Sequence, residues 1–167
     1  MYTRTGLAVL AVVLAAAALT AAPAALAEER TCRGAMGATT VVDLVVPQGA
    51  TCTLKGTRVK GSVRVERGAT LNALRIRVNG NVHAEGAVAV NIARSRVSES
   101  IQVVQGGKSK LSRTVVKGDV QYFENRGQIS IRSNRVDGNL QCKENGLGPR
   151  GGRNVIQGDK EDQCSGL

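Results

Sequence analysis

The sequence predicts an all-β fold in which short coils stack into a parallel β-solenoid with a disulfide near each end. Three observations support this prediction: a repeat of 19 to 20 residues, apolar residues that alternate with polar ones inside each repeat, and two cysteine pairs about one repeat apart. The composition agrees with it. Of 167 residues, 42% are hydrophobic but only 2% are aromatic, so the core must be built from Val, Ile, Leu and Ala.

A valine marks the same place in each repeat. It recurs as Val59, Val78, Val97, Val116 and Val136, at intervals of 19, 19, 19 and 20 residues. The apolar residues around it alternate with polar ones, which is typical of a strand and not of a helix. A unit this short cannot bury its own apolar face, so we expect the coils to stack in parallel. An antiparallel sandwich would need more frequent turns and would not hold a fixed long period.

A second apolar strand follows the first after a Gly-containing turn in each unit. Its inward residues are Cys52/Leu54, Leu71/Ala73, Val90/Ile92, Leu111 and Ile129/Ile131. The repeat extends to Ile156 downstream and, upstream, to the alternating set Thr40, Val42, Leu44 and Val46.

The chain ends look different from the repeats. Lys160 and Asp162 replace apolar residues at inward positions, and the glycine-rich stretch 143–153 indicates a loop. We therefore expect an N-terminal cap at 28–39, the solenoid at 40–142, and a loop with a C-terminal cap at 143–167.

The cysteines test the stacking. Adjacent coils lie about 4.8 Å apart, so residues one coil apart are close enough for a disulfide. This spacing predicts Cys32–Cys52 and Cys142–Cys164. Four cysteines allow three connectivities, and the other two would join opposite ends of the rod.

Residues 1–27 have the pattern of a secretory signal peptide. Arg4 precedes an apolar run from Leu7 to Leu19, and Ala25-Leu26-Ala27 forms a small-x-small cleavage site. The run is shorter than the roughly 20 residues that a membrane span needs. We expect secretion to the extracellular space or cell wall, no membrane span after cleavage, and an oxidising compartment that favours disulfides.

The net charge of +10 concentrates in two arginine series. The arginines of the first series come directly before the repeated valines, and those of the second series lie two residues before the first. Both series hold positions where the strand alternation points side chains outward. Their members are Arg58, Arg77, Arg96 and Arg135, and Arg75, Arg94, Arg113 and Arg153. Such a stripe predicts binding of a repeating polyanion such as teichoic acid, polyphosphate or an acidic polysaccharide, with nucleic acid only as a non-specific polyanion. The alternative is a solvated face that keeps the protein soluble.

Other polar residues favour structural interpretations. A second outward column follows the repeated glycine and fits a side-chain ladder: Asp43, Ser62, Asn81, Ser100, Asp119, Asn139 and Asp159. The carboxylate pairs Glu66/Glu85 and Glu124/Glu144 have the separation of a retaining glycosidase, yet a solenoid places any repeated residue at that distance. His83 has no partner at a motif spacing, and the sequence predicts no metal site and no cofactor.

The C-terminal segment carries a family resemblance. Its stretches from Asp137 to Cys142 and from Gly151 to Cys164 resemble an uncharacterised group of small exported proteins of high-GC Gram-positive bacteria. The coil pattern is similar to that of right-handed parallel β-helices, a fold shared by polysaccharide lyases, adhesins and polymer-forming bactofilins. That resemblance implies right-handed winding but no activity. Lyase catalytic residues are not matched, and the disulfide-linked ends depart from end-to-end polymerising bactofilins.

The sequence thus predicts a secreted, non-enzymatic and monomeric binding or structural protein that contacts an envelope or extracellular polyanion. A polysaccharide lyase or glycosidase and a self-assembling scaffold are the alternatives.

Overall fold

The computed structural model describes residues 29–167, and these residues form a parallel β-solenoid of about seven coils with no helix. The predicted all-β fold class is confirmed. The predicted signal peptide at 1–27 lies outside the described residues.

Each coil contributes one strand to each of three parallel sheets, named A, B and C. Sheet A contains β1 (Glu29–Thr31), β4 (Asp43–Val46), β7 (Val63–Val65), β10 (Val82–Glu85), β13 (Ile101–Val104), β16 (Val120–Phe123), β19 (Leu140–Lys143) and β22 (Lys160–Asp162). Sheet B contains β2 (Gly34–Met36), β5 (Thr51–Lys55), β8 (Thr70–Leu74), β11 (Ala89–Ala93), β14 (Lys108–Ser112), β17 (Ile129–Arg132) and β20 (Arg150–Gly152). Sheet C contains β3 (Thr40–Val41), β6 (Arg58–Val59), β9 (Arg77–Val78), β12 (Arg96–Val97), β15 (Val115–Val116), β18 (Arg135–Val136) and β21 (Val155–Ile156).

The interior is a single column of stacked aliphatic side chains. The repeated valines of sheet C pair in register, as Val59 with Val78 does, and all five are fully buried. Within residues 29–167, Tyr122 is the one aromatic residue of this core, and it enters from sheet A opposite Ser109 of sheet B. A small residue here makes room for the ring, and the Ser109 hydroxyl lies 3.3 Å from the tyrosine hydroxyl and 3.1 Å from the Val90 carbonyl. Burial raises the pKa of Tyr122 to about 12.

At the repeated glycine a neighbouring coil occupies the space that a side chain would take, although Glu99 holds the same place in one coil. A Cβ at Gly118 would lie 2.5 Å from Ser100 Oγ and 3.0 Å from the Glu99 carbonyl carbon, and Gly61 and Gly138 are crowded in the same way by Asp43 and Asp119. Those crowding side chains form the predicted polar ladder. Each accepts a hydrogen bond from a backbone N–H of the next coil, as Ser100 Oγ does from Asp119 N–H at 3.0 Å.

Two ladders of asparagine fill the inner corners of the C-terminal half, and the sequence analysis missed them. Asn125 N–H donates to Asn145 Oδ1 at 3.0 Å, and Asn145 N–H donates to Gln163 Oε1 at 2.9 Å. Asn134 and Asn154 form the second ladder, in which Asn134 N–H donates to Asn154 Oδ1 at 3.0 Å. Asn134 is buried, and its amide also donates to the Leu111 carbonyl, so its polar atoms are hydrogen-bonded.

The sheets extend on both sides of 40–142. At the N-terminal end, Val41 and not Thr40 pairs with Val59, so this coil is one residue shorter than the next one and the predicted place of Thr40 is wrong. Leu44 and Val46 pair with Val63 and Val65 as predicted. At the other end, β20 continues sheet B inside the stretch 143–153 that was expected to be a loop. A Cβ at Gly151 would overlap the Ile131 carbonyl oxygen, so this glycine reflects close packing of two strands rather than a turn.

Both predicted disulfides are confirmed. Cys32–Cys52 and Cys142–Cys164 have Cα atoms 5.6 Å and 5.2 Å apart, and each joins neighbouring coils at one end of the stack. After the second bridge the chain folds back, and Leu167 packs on the end of the core.

Candidate anion-binding surface

The eight arginines singled out in the sequence are all exposed and form two neighbouring columns. Arg58, Arg77 and Arg96 pair directly with one another on the outer face of sheet C. Val115 interrupts this sheet-C column, and Arg135 continues it one coil later. The corner column, Arg75, Arg94, Arg113 and Arg153, lies at the bend between sheets B and C.

The backbone at this bend takes a conformation that does not favour arginine. Arg75, Arg94, Arg113 and Arg153 have φ between 50° and 58°, in the left-handed region. Gly56 and Ser133 hold the same place in two other coils, with φ of 74° and 56°. The left-handed conformation costs an L-residue about 1–2 kcal/mol, and Gly or Asn would adopt it more easily. Backbone geometry therefore does not explain why four coils have arginine here.

The bend between sheets B and C has many cations and no carboxylate. We define this basic corner as the segments 55–58, 74–77, 93–96, 112–115, 132–135 and 152–155, which contain no Asp or Glu. It carries Lys55 and Arg132 in addition to the eight arginines. These two residues hold equivalent places in sheet B, at the ends of β5 and β17, and were not predicted from the sequence. Side chains one coil apart are about 4.8 Å apart, and two unit charges at that distance repel by about 1 kcal/mol in water.

The cations of the basic corner are almost all without ion pairs. Within residues 29–167, Arg135 is the one member that contacts a carboxylate, through Nε at 3.0 Å from Asp137 Oδ1. Lys117 Nζ lies 2.6 Å from the other oxygen of Asp137. The hydrogen bond from Lys117 is the main reason why the pKa of Asp137 lies below its usual value. The other members of the corner are available to an external anion.

A shallow groove runs along the outer face of sheet B beside the corner column. Its volume is about 600 Å³ and it crosses β5, β8, β11 and β14. Asn91 Nδ2 donates to Asn72 Oδ1 at 2.9 Å in the floor, and half-buried Leu74 and Ala93 separate these amides from the arginines. Lys55, Lys110 and Arg113 also line the groove. The two asparagines were not predicted as site residues, although they lie one repeat apart along the chain and this spacing is a signal for them.

The carboxylate pairs considered for catalysis lie at the other end of the sheet-B strands, at or near the bend between sheets A and B. Glu66 and Glu85 line one surface groove with His83, and Glu124 and Glu144 line another with Phe123. Glu66 Oε2 accepts a hydrogen bond from Gln48 N–H at 3.0 Å, and Gln105 donates to Glu124 at 2.9 Å. His83 Nδ1 is 2.9 Å from Gln102 Oε1, at one end of a ladder of glutamine side chains on sheet A.

Within residues 29–167, no group of three or more His, Cys, Asp or Glu side chains is arranged to hold a metal ion. The same residues include no helix that could span a membrane.

No protein-family model, curated protein or solved structure matches the chain. The function must therefore be argued from the surface itself.

Proposed function

We propose that this protein is a secreted, non-enzymatic binding protein of the cell envelope or extracellular space, and that its basic corner holds a linear polyanion. The observation that carries the proposal is the density of positive charge at one edge of the rod. Its six segments contain ten cations, nine of them without an ion pair within residues 29–167, and no carboxylate. A linear polyanion fits this edge because its charges repeat in one direction, as the arginines do.

Two energetic costs coincide at the corner column. The arginines have left-handed backbone conformations, and they repel the like charges of the adjacent coils. A bound polyanion removes the repulsion and replaces it with charge-assisted hydrogen bonds, which arginine forms well with carboxylate and phosphate groups. The polar residues near the other bends mix acids with bases, so they lack this uniform charge.

A non-enzymatic role is supported by the surroundings of the carboxylates. Glu85, Glu124 and Glu144 are exposed, and Glu66 holds the backbone of a neighbouring coil through Gln48. Secretion is supported by the two disulfides, which favour an oxidising compartment, and by the signal pattern of residues 1–27. A monomeric state is part of the proposal, and light scattering of the purified protein tests it.

The test is equilibrium binding of long-chain polyphosphate, which offers charge without other chemistry. The variant Arg75→Gln/Arg94→Gln/Arg113→Gln removes three charges from the corner column. Its matched control, Arg33→Gln/Arg67→Gln/Arg126→Gln, removes three exposed charges near the bend between sheets A and B. Three exposed charge contacts of about 0.5–1 kcal/mol each predict a loss of affinity of tenfold or more for the corner variant.

The control variant should lose affinity by less than about threefold, because it changes only the net charge. The slope of log affinity against log salt should also become shallower by about 2 in the corner variant alone, as expected for three lost contacts. Equal losses in the two variants would show that net charge and not the basic corner controls binding, and would contradict the proposal.

A further inference from the structure

We infer that the polyanion is an anionic polysaccharide that lies along the groove of sheet B, with its acidic groups on the corner column. This inference rests on the proposed function and adds the chemical class of the ligand. Its basis is the order of three kinds of side chain across β8 and β11: an amide column, an apolar column and an arginine column.

The amide column offers both donors and acceptors to a ligand. Asn72 and Asn91 pair in register, and one hydrogen bond joins Asn91 Nδ2 to Asn72 Oδ1. Within the described part of the chain, both N–H groups of Asn72 and the Oδ1 of Asn91 have no hydrogen-bond partner. Both side chains are only half-buried on the outer face. Oδ1 of Asn91 needs a ligand that donates a hydrogen bond. Sugar hydroxyls donate and accept, whereas the oxygens of a polyphosphate chain only accept.

The apolar column lies between the amides and the charges. Leu74 and Ala93 pair in register and are half-buried in the groove. A sugar ring presents C–H groups on its faces and hydroxyls at its edge, so it can cover these two side chains while its hydroxyls reach the amides. The groove can therefore contact both the C–H faces and the hydroxyl edge of a saccharide.

The charged column fixes which saccharides fit. Arg113, Lys55 and Lys110 line the groove. Arg75 and Arg94 directly follow its lining residues Leu74 and Ala93 along the chain. Among residues 29–167, no carboxylate lines the groove. A neutral polysaccharide would leave these cations without partners, and a polysaccharide with an acidic group on successive sugars would pair with them coil by coil.

The experiment compares three probes: polygalacturonate, which has charge and hydroxyls, polyphosphate, which has charge alone, and dextran, which has hydroxyls alone. The groove variant is Asn72→Ala/Asn91→Ala. Its matched control is Gln102→Ala/Gln121→Ala, which removes a hydrogen-bonded amide pair of the same ladder type from sheet A. Thermal unfolding of each variant verifies that the fold is kept.

We expect polygalacturonate to bind the unmodified protein and dextran not to bind. The groove variant should bind polygalacturonate about tenfold more weakly, since two ordinary hydrogen bonds are worth about that much, and polyphosphate within about twofold of the parent. The control pair should leave both affinities unchanged.

The outcomes separate the two proposals. One outcome is that the corner variant loses binding of polyphosphate and polygalacturonate, while the groove variant binds polygalacturonate like the parent. This outcome supports the basic corner and overturns the polysaccharide assignment. The assignment also fails if the groove variant weakens both probes equally, or if polygalacturonate does not bind. If the corner variant binds both probes like the parent, the proposed function itself is wrong.

Discussion

A side chain at Gly61 is expected to destabilise the protein while Asp43 is in place. A Cβ at Gly61 would overlap Asp43 Oδ1, lie 2.9 Å from Asp43 Cγ and lie 3.2 Å from the Val42 carbonyl oxygen. The carboxylate cannot simply move away, because its Oδ1 accepts a hydrogen bond from Ser62 N–H at 2.8 Å. The substitutions Gly61→Ala and Asp43→Ala therefore act on the same contact between two coils.

The magnitude follows from the two terms at this position. Overpacking costs about 1–3 kcal/mol, and the smaller backbone freedom of alanine in the unfolded chain returns about 0.5–1 kcal/mol, so Gly61→Ala should cost about 1–2 kcal/mol. Asp43→Ala loses one partly buried hydrogen bond and should cost about 1 kcal/mol. The double variant has no clash with Asp43 and keeps the gain of alanine in the unfolded chain, so its cost should be about 0–0.5 kcal/mol instead of the sum of about 2–3 kcal/mol.

Urea unfolding followed by far-UV circular dichroism measures the three free energies of unfolding. The control is Gly37→Ala, since a Cβ at Gly37 meets no atom within 4 Å and its φ lies outside the left-handed region. We expect the control to stay within about 0.5 kcal/mol of the parent. Additive costs in the double variant, or a Gly61→Ala variant as mild as the control, would refute the steric account of the repeated glycine.

Three further predictions follow from the core, the corner and the ends. Burial raises the pKa of Tyr122 from 10.0 to about 12. The stability present below pH 10 should therefore be lost as the pH rises through 12, by up to about 3 kcal/mol, and no such loss should occur in Tyr122→Phe. Difference absorbance of the two proteins reports this titration, and a midpoint near 10 would contradict it. Arg94→Gly should leave the free energy of unfolding equal or up to about 1 kcal/mol higher, since relief of the left-handed strain offsets the backbone entropy of glycine, while polyphosphate binding weakens. Cys142→Ser/Cys164→Ser should lower the free energy of unfolding by about 3 kcal/mol, and an unchanged urea midpoint would show that this bridge is dispensable.

Much of the fold could be predicted because the repeat and the strand period are both visible in one sequence. The alternation around Val59 and its equivalents identified the inward residues, and the coil spacing identified both disulfides. The first coil was misaligned because it is shorter than the coil that follows it, and no sequence feature marks a deletion next to Val41. Periodicity predicts a register only where the period is constant.

Glycine and asparagine misled the interpretation of the C-terminal coil. Both residue types are common in turns, so the sequence predicts a loop at Gly151 and gives no sign that Asn145 belongs to the core. In the structure a strand lies against Gly151, and Asn145 is buried with its amide donating to the Tyr122 carbonyl. The same residue type serves a turn or a close contact, and only its place in the stack decides between them.

The candidate site was predicted in part. The alternation of inward and outward side chains predicted that the arginines lie outside, and all eight are exposed in the structure. The alternation alone could not show that the bend between sheets B and C has no carboxylate, or that Lys55 and Arg132 belong to the basic corner. It also could not show that Asn72 and Asn91 form the floor of a groove beside that corner. Those features depend on which sheets meet at which bend, and this can be seen only in the folded structure.

Mass-spectrometric mapping of arginine modification tests the central claim most directly, because it locates the bound polyanion without changing the sequence. Phenylglyoxal labels exposed guanidinium groups, and the reaction is run with and without bound polyphosphate. If the basic corner is the binding surface, bound polyphosphate should protect Arg75, Arg94 and Arg113 from labelling and leave the labelling of Arg67 and Arg126 unchanged. Protection spread evenly over all five arginines, or confined to the last two, would contradict it.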